Sequence, residues 1–491
     1  MSTEAVSLGH AIDDAKMSKR HKRFWLLAAL GILLDGFDFF IIGVVNPLLK
    51  QQYGLSATTL GLVSAAAIVG AIFGAGLLGP LADKIGRRRI FIFDLWLFVI
   101  FSIACAFSPS IELLIFFRFM VGVAIGLDYP IAASYLAEIL PKKARGRWLV
   151  GAFSLQAVGI LLAAIVGLVI LLAVATKAGA SATDAQINVA WRLMLGFGAI
   201  PALVIIFVRR KTPESPRWLA QNGHEEEAIA VTEELTDTKV KITDKDREKA
   251  MDPGEGIKAL FQPALFKKNM IRRTIFTAVP WFLMDIATYG VGIFTPTLLA
   301  AIAVKGANTN FLTDDITATA GTAILDVFLP LGFLTAILLV DRVGRVPLQM
   351  VGFAMMTVAL LILAFGEGLS GGPEAHLPLV LVGFALFHFF MNAGPNSTTY
   401  ALPAEVFPSE IRAAGHGFAA ACAKLGAAVG VFLFPILLES IGTSALLYCV
   451  AGTTLLALVI TRVFRVETMG KSFDEISGRK LQELSPRPSP P

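Results

Sequence analysis

The sequence predicts an all-α membrane protein of about twelve transmembrane helices in two pseudo-symmetric six-helix bundles. Composition is the first observation. The chain has 491 residues, 55% of them hydrophobic and 16% charged, with a mean hydropathy of +0.70. A water-soluble chain of this length needs far more polar surface. Second, apolar stretches of about twenty residues or more recur along the chain, each long enough to cross ~30 Å of hydrocarbon. Third, a set of short polar signatures occurs twice, in the same order.

Taken in order, the apolar stretches place spans at 24–49, 57–82, 90–108, 111–140, 147–175 and 190–208. A second series follows at 273–303, 315–340, 346–367, 377–404, 412–440 and 442–464. Basic residues fix the orientation. Lys16, Lys19, Arg20, Lys22 and Arg23 precede the first span; Lys84, Arg87, Arg88 and Arg89 follow the second; Lys142, Lys143, Arg145 and Arg147 follow the fourth. The opposite turns are nearly free of them, so both termini and the long central loop are expected in the cytoplasm of a cell-membrane protein. This gives a cytoplasmic arm at 1–23, an N-terminal bundle at 24–208, a linker at 209–272, a C-terminal bundle at 273–464 and a tail at 465–491. The linker's charged stretch suits an amphipathic helix, and the ELSPRPSPP terminus reads as a disordered tail. No cleavable leader is visible. Cys105, Cys422 and Cys449 fall in spans as packing residues, not as a disulfide or metal set. The basic clusters are topological and give no argument for nucleic acid.

The repeat sets the architecture. Asp83-x-x-Gly86-Arg87 after the second span matches Asp341-x-x-Gly344-Arg345 after the eighth. Glu138-x-x-Pro141-x3-Arg145 matches Glu405-x-x-Pro408-x3-Arg412, and Pro213-Glu214 is answered by Glu467-Thr468. Two homologous halves follow. Arginines and carboxylates at helix ends suit inter-helix ion pairs that hold one face closed and break when it opens. With RFMVGVAIG, ESPRWL and VETMGKSFDEI, these motifs resemble the signatures of the major facilitator superfamily, most closely its sugar-porter branch, over nearly the whole chain.

Ionisable residues inside the spans point to a pathway. Asp35, Asp38, Asp94, Asp128, Asp285 and Asp326 stand against Arg118 and Lys424. Each charge costs about 2.5–3.5 kcal/mol at mid-membrane on translocon scales, so residues kept there mark an ion or substrate route. An excess of acid is tolerable if several carboxylates are protonated, hydrated or paired during a cycle. Arg118 is expected to pair with Asp35 or Asp38. Asp94 suits a bond to a neighbouring helix as well as it suits proton transfer. His388 shares a stripe with Asn392, Asn396 and Tyr400, and a packing role is favoured over a proton relay.

The interior segments LLDGFDFFIIG, GLDYPIAASYLAE, FSLQAVG, PWFLMDIATYG, NAGPNSTTYALPAEVFPSEIRAAGHG and CAKLGAAVG are similar to those of the phosphate:proton symporter family. The resemblance implies a substrate pocket of Tyr129, Gln156, Trp281, Asp285, Tyr289, Asn396 and Lys424, with Asp35, Asp38, Asp94 and Asp128 carrying protons. The chemistry is coherent. An oxyanion in a low-dielectric cavity needs a committed cation and neutral donors. A carboxylate beside it selects an anion that carries hydroxyls and rejects sulfate, which has none to offer. Leu127 stands where the family pattern has glycine, and Asp326 and His388 have no assigned counterpart. No cofactor or metal is implied. The expectation is therefore a proton-coupled importer of inorganic phosphate. A symporter of another small anion, organic acid or sugar is the alternative; a proton-driven exporter and a transport-dead sensor rank below it. The fifth span lacks the proline typical of exporters, and Lys424 disfavours a cationic cargo. No nucleophile–base or metal-ligand set suggests an enzyme.

Overall fold

The computed structural model describes residues 6–75, 85–142, 145–175, 183–210, 212–247, 263–268, 270–303, 311–368, 376–407 and 411–466. Of the positions singled out above, Asp83, Lys84, Lys143, Pro408, Glu467-Thr468 and the Pro/Ser tail lie outside the described residues, as do the side chains of Tyr129, Arg145 and Arg412.

The N-terminal half comprises α2 (Lys19–Tyr53), α3 (Ala57–Phe73), α4 (Arg87–Ala106), α5 (Ile111–Ile139), α6 (Arg145–Val174), α7 (Asp184–Phe197) and α8 (Ala199–Arg209), after a short α1 (Leu8–Asp14). The linker carries α9 (Pro216–Gln221), α10 (Glu225–Thr236) and α11 (Asp244–Arg247). The C-terminal half comprises α12 (Ile271–Ala303), α13 (Phe311–Asp326), α14 (Phe328–Val343), α15 (Arg345–Gly368), α16 (Leu377–Ala393), α17 (Pro395–Val406) and α18 (Arg412–Phe464).

Three crossings are each made of two helical pieces, and proline explains every break. Pro201, Pro330 and Pro395 lack the N–H that would bond to the carbonyls of Phe197, Asp326 and Met391, so the ladder is interrupted at 197/198, 326/327 and 393/395. In contrast, α18 runs through the last two crossings and turns at Gly442, whose φ of 79° suits glycine. The chain thus makes twelve crossings, with the first helix starting at Lys19 and the sixth crossing at Asp184, both earlier than hydropathy alone places them. Ser18 caps α2 and Thr183 caps α7, each with a reciprocal capping box; polar caps of this kind extend a helix beyond its apolar core.

The linker helix foreseen from charge is α10. It packs with the N-terminal arm into a small body whose core is Leu8, Ile12, Leu219, Ala220 and Ala228. A two-residue strand β1 (Val6–Ser7) runs parallel to β2 (Val240–Lys241). Arg247 Nε donates to Glu225 at 2.7 Å and holds that exposed carboxyl below its usual range. The arm and linker therefore lie together on one face of the molecule, the linker face.

On the opposite, distal face the two halves meet backbone to backbone. A Cβ at Gly43 of α2 would fall 2.1 Å from the Ile293 carbonyl oxygen of α12, and one at Gly61 of α3 would fall 2.4 Å from the Phe432 oxygen of α18. Small residues allow such approach, which in a bilayer supplies the packing energy that hydrophobic burial does not.

Candidate functional site

Between the halves lies a cavity lined among others by Gln156, Trp281, Asp285, Thr288, Tyr289, Asn392, Asn396 and Lys424. Six of the seven predicted substrate residues converge there; the seventh, Tyr129, has no described side chain. Helical phase brings Trp281, Asp285 and Tyr289 to one face of α12, opposite Gln156 on α6 and Lys424 on α18. Lys424 Nζ donates to the Tyr289 hydroxyl at 2.7 Å, and Gln156 Nε2 donates to the same oxygen at 3.4 Å. The ammonium also sits 5.5 Å from the Phe39 ring centroid and 4.7 Å from that of Tyr289. Asn396 Nδ2 donates to Asn392 Oδ1 at 2.7 Å.

Chemically the cavity offers a cation, a carboxylate, three amides, a threonine hydroxyl, a phenol and an indole, set among aromatic rings. Such a set can hold a compact oxyanion that also donates hydrogen bonds. On its linker side Phe153 of α6 stacks on Tyr400 of α17, ring centroids 4.3 Å apart. The glycine seam lies on its distal side.

The predicted proton carriers divide into two groups. Asp38 is paired with Arg118, Nη1 to Oδ2 at 2.7 Å, and Arg118 Nη2 also donates to the Asp38 carbonyl at 3.2 Å. This resolves the choice left open for Arg118. Asp35, three residues earlier, instead interacts with Asp128, Arg209 and Lys424. Asp94 lies within hydrogen-bonding reach of Asp128. A buried cluster of Asp35, Asp94, Asp128 and Arg209 therefore stands beside the cavity, and its Asp35 also interacts with the cavity lysine.

Arg209 corrects the expected domain boundary. The sequence reading begins the linker at this residue, whereas the structure buries its side chain in the N-terminal bundle. Nη1 donates to Asp128 Oδ1 at 2.8 Å, Nε to Leu27 O at 2.9 Å and Nη2 to Ala28 O at 3.1 Å, while the guanidinium lies 4.4 Å over the Phe91 ring. The signal was present in helix phase: Arg209 follows buried Ala202, Ile205 and Ile206 at spacings of seven, four and three. Gly31 leaves room for the pair, because a Cβ there would meet Asp128 Oδ2 at 1.8 Å.

The repeated signatures pair inside each half. Arg87 Nη2 reaches Glu138 Oε1 at 3.0 Å, and Arg345 Nε reaches Glu405 Oε1 at 3.0 Å, with Asp341 3.1 Å from Arg345. Ser215 Oγ also donates to Glu138. Glu214 accepts from the backbone N–H groups of Arg87 at 3.0 Å and Arg88 at 3.1 Å, capping α4 at its positive end. Gly86 permits this with a φ of 109° and no Cβ against Glu214. Among the described residues these ion pairs bind neighbouring helices of one half and the linker; they do not cross between halves.

Comparison with known proteins agrees with this architecture. The family model for "sugar (and other) transporter" matches residues 24–478. A probable inorganic phosphate transporter 1-6 of Arabidopsis thaliana is 33% identical, covering 98% of each chain. The putative metabolite transport protein YaaU of Escherichia coli K12 is 31% identical over 96% of this chain and 97% of its own. In fold, the major facilitator superfamily proton:xylose symporter XylE, bound to 6-bromo-6-deoxy-D-glucose, superposes with a TM-score of 0.69 at 22% identity, covering 94% of this chain and all of XylE. Twelve crossings in two halves around a central polar cavity, together with a family match over nearly the whole chain, make this protein a multi-pass membrane transporter of the sugar (and other) transporter family, with the major facilitator fold.

Proposed function

We propose that the protein imports inorganic phosphate together with protons by alternating access. The observation that carries this reading is the cavity's pairing of Lys424 with Asp285 across a shell of neutral donors. Lys424 anchors the anion. Asp285 accepts a hydrogen bond from a phosphate hydroxyl, which sulfate cannot supply. Gln156, Trp281, Tyr289 and Asn396 complete the shell, with Tyr129 expected beside them. The relatives named as phosphate transporters support the same cargo. Asp35, Asp94 and Asp128 exchange protons in a cluster poised by Arg209, and Asp38 with Arg118 couples that cluster to helix movement. Arg87, Arg145, Arg345 and Arg412 with Asp83, Glu138, Asp341 and Glu405 keep the linker-face ends of each half rigid as the halves rock. The basic linker face is the cytoplasmic one, in the cell membrane.

Moving an anion inward against a negative-inside potential costs ~2.3 kcal/mol per charge per 100 mV, which a co-transported proton cancels. Radiolabelled phosphate uptake into proteoliposomes, with and without an inward proton gradient, tests the reading. Gradient-stimulated uptake that resists unlabelled sulfate and xylose is expected; inhibition by xylose with no phosphate uptake overturns it in favour of a sugar cargo. Asp285→Asn is expected to cut phosphate uptake by about tenfold or more and to narrow the discrimination against sulfate. Unchanged discrimination would remove Asp285 from the selectivity argument.

A further inference from the structure

The C-terminal half contains a buried titratable pair that the proposed mechanism does not use. His388 Nδ1 of α16 lies 3.4 Å from Asp326 Oδ1 at the end of α13, and both side chains are almost wholly buried. Besides Asp326, the ring faces the backbone of Leu325, and neither ring nitrogen makes a well-formed hydrogen bond. Asp326 sits at the proline-made break between α13 and α14, where Pro330 leaves its carbonyl without the usual helical bond.

Asp315, Thr319, Thr322 and Asp326 follow one another at spacings of four, three and four on one buried face of α13. Both carboxylate oxygens of Asp315 and the Thr319 hydroxyl lack protein partners. This polar row starts near the distal end of α13 and ends at the Asp326–His388 pair. From there Asn392, one turn on from His388, donates to the His388 carbonyl at 3.0 Å and accepts from Asn396 at 2.7 Å; both asparagines line the cavity. Buried polar groups without protein partners are satisfied by water, and a hydrated file of carboxylates and hydroxyls conducts protons.

The elements packed against α13 are α2, α6, α12, α14 and α16. Their other titratable or charged groups are Asp35, Asp38 and the basic and terminal residues of α2, Arg145 and Arg147 of α6, Arg272, Arg273, Asp285 and Tyr289 of α12, and Asp341 and Arg342 of α14. Asp314 neighbours Asp315 on α13 itself. Among the described residues His388 is the only group that forms an ion-pair contact with Asp326.

We propose that Asp326 and His388 form a second proton-binding site, filled from the distal face along the Asp315–Thr319–Thr322 row and emptied toward the cavity past Asn392 and Asn396. On binding one proton the pair passes from a net charge of −1 to zero, and on release it returns; no other bond changes. The inference rests on the proton-symport reading and deepens it. With one proton in the N-terminal cluster and one here, each monovalent phosphate enters with a net positive charge, and uptake becomes potential-driven.

The test uses full-length protein in proteoliposomes with a potassium diffusion potential. Wild-type uptake of labelled phosphate is expected to respond to an interior-negative potential. Asp326→Asn and His388→Gln are each expected to keep exchange of internal for external phosphate while losing that response, which lowers steady-state accumulation at 100 mV about fifty-fold. Exchange in the same vesicles reports that each variant is folded, and His388→Gln stands in if Asp326→Asn fails to assemble. Full potential response in both variants overturns the proposal. Wild-type protein that neither exchanges nor accumulates phosphate instead overturns the phosphate reading, and the pair is then read directly by 15N NMR of the imidazoles. The signal lost in His388→Gln is expected to change with pH, and to lose that change in Asp326→Asn; a His388 signal that does not respond to pH sinks the second site.

Discussion

Arg209→Leu is expected to be the most damaging single substitution in the N-terminal half. It removes the guanidinium that donates to Asp128 at 2.8 Å and to two backbone carbonyls of α2, and leaves Asp128, Asp94 and Asp35 without the cation that interacts with all three. Breaking a buried ion pair from one side costs about 3–5 kcal/mol, because the remaining charge stays desolvated. The melting midpoint of the purified protein in detergent should fall by several degrees, and phosphate uptake should be lost. Adding Asp128→Asn to the same chain should restore much of the melting midpoint and none of the proton-driven accumulation. Arg209→Lys should recover little, since a single ammonium cannot reach Asp128, Leu27 O and Ala28 O together. A melting midpoint unchanged in Arg209→Leu would show that the cluster is neutral or hydrated without its arginine.

Lys424→Met should weaken phosphate binding by about 100-fold, measured as equilibrium binding to the detergent-solubilised protein. The side chain keeps its unbranched shape, one atom shorter, and loses its charge. A hydrogen bond to a charged group is worth about 1.5–3 kcal/mol, and its removal also strips the cavity of the cation facing the anion. The Tyr289 hydroxyl, which receives Lys424 at 2.7 Å and Gln156 at 3.4 Å, would then be held only by the glutamine. Tyr289→Phe, in contrast, removes one neutral donor and should cost about tenfold. Equal losses in the two variants would argue that the tyrosine positions the lysine and that the lysine alone does not set affinity.

How far the sequence revealed this site depends on what each residue needed in order to be noticed. A charge inside an apolar stretch is conspicuous, so Asp35, Asp38, Asp94, Asp128, Asp285 and Lys424 were legible, as was the repeat that pairs Arg87 with Glu138 and Arg345 with Glu405. Partner choice was not. Asp35 and Asp38 are three residues apart in one motif, and only the packing of α5 against α2 gives Arg118 to Asp38 and leaves Asp35 facing Asp128. Charges at span ends were also misjudged. The sequence reading begins the linker at Arg209 and passes over Asp315, because hydropathy assigns terminal charges to water; the phase of α8 and of α13 places both on buried faces. The ion pairs of the repeated signatures were foreseen, but not that those seen lie within a half, since nothing in a sequence repeat distinguishes a neighbour in the bundle from one across the cleft.

The glycine seam of the distal face has a mechanical consequence. Gly43 against Ile293 O brings main chain to main chain with only backbone atoms at the contact, and Gly61 meets Phe432 O in the same way with the Phe432 ring beside it. Parting or rejoining at Gly43 involves no rotamer change, so this contact acts as a smooth bearing on which one half can rock against the other. The linker-side stack of Phe153 on Tyr400 is by comparison a latch, which must unstack before its face can open. Bearings tolerate no grit: a single methyl at Gly43 would lie 2.1 Å from a carbonyl oxygen and act as a wedge, biasing the molecule toward the conformation open on the distal face.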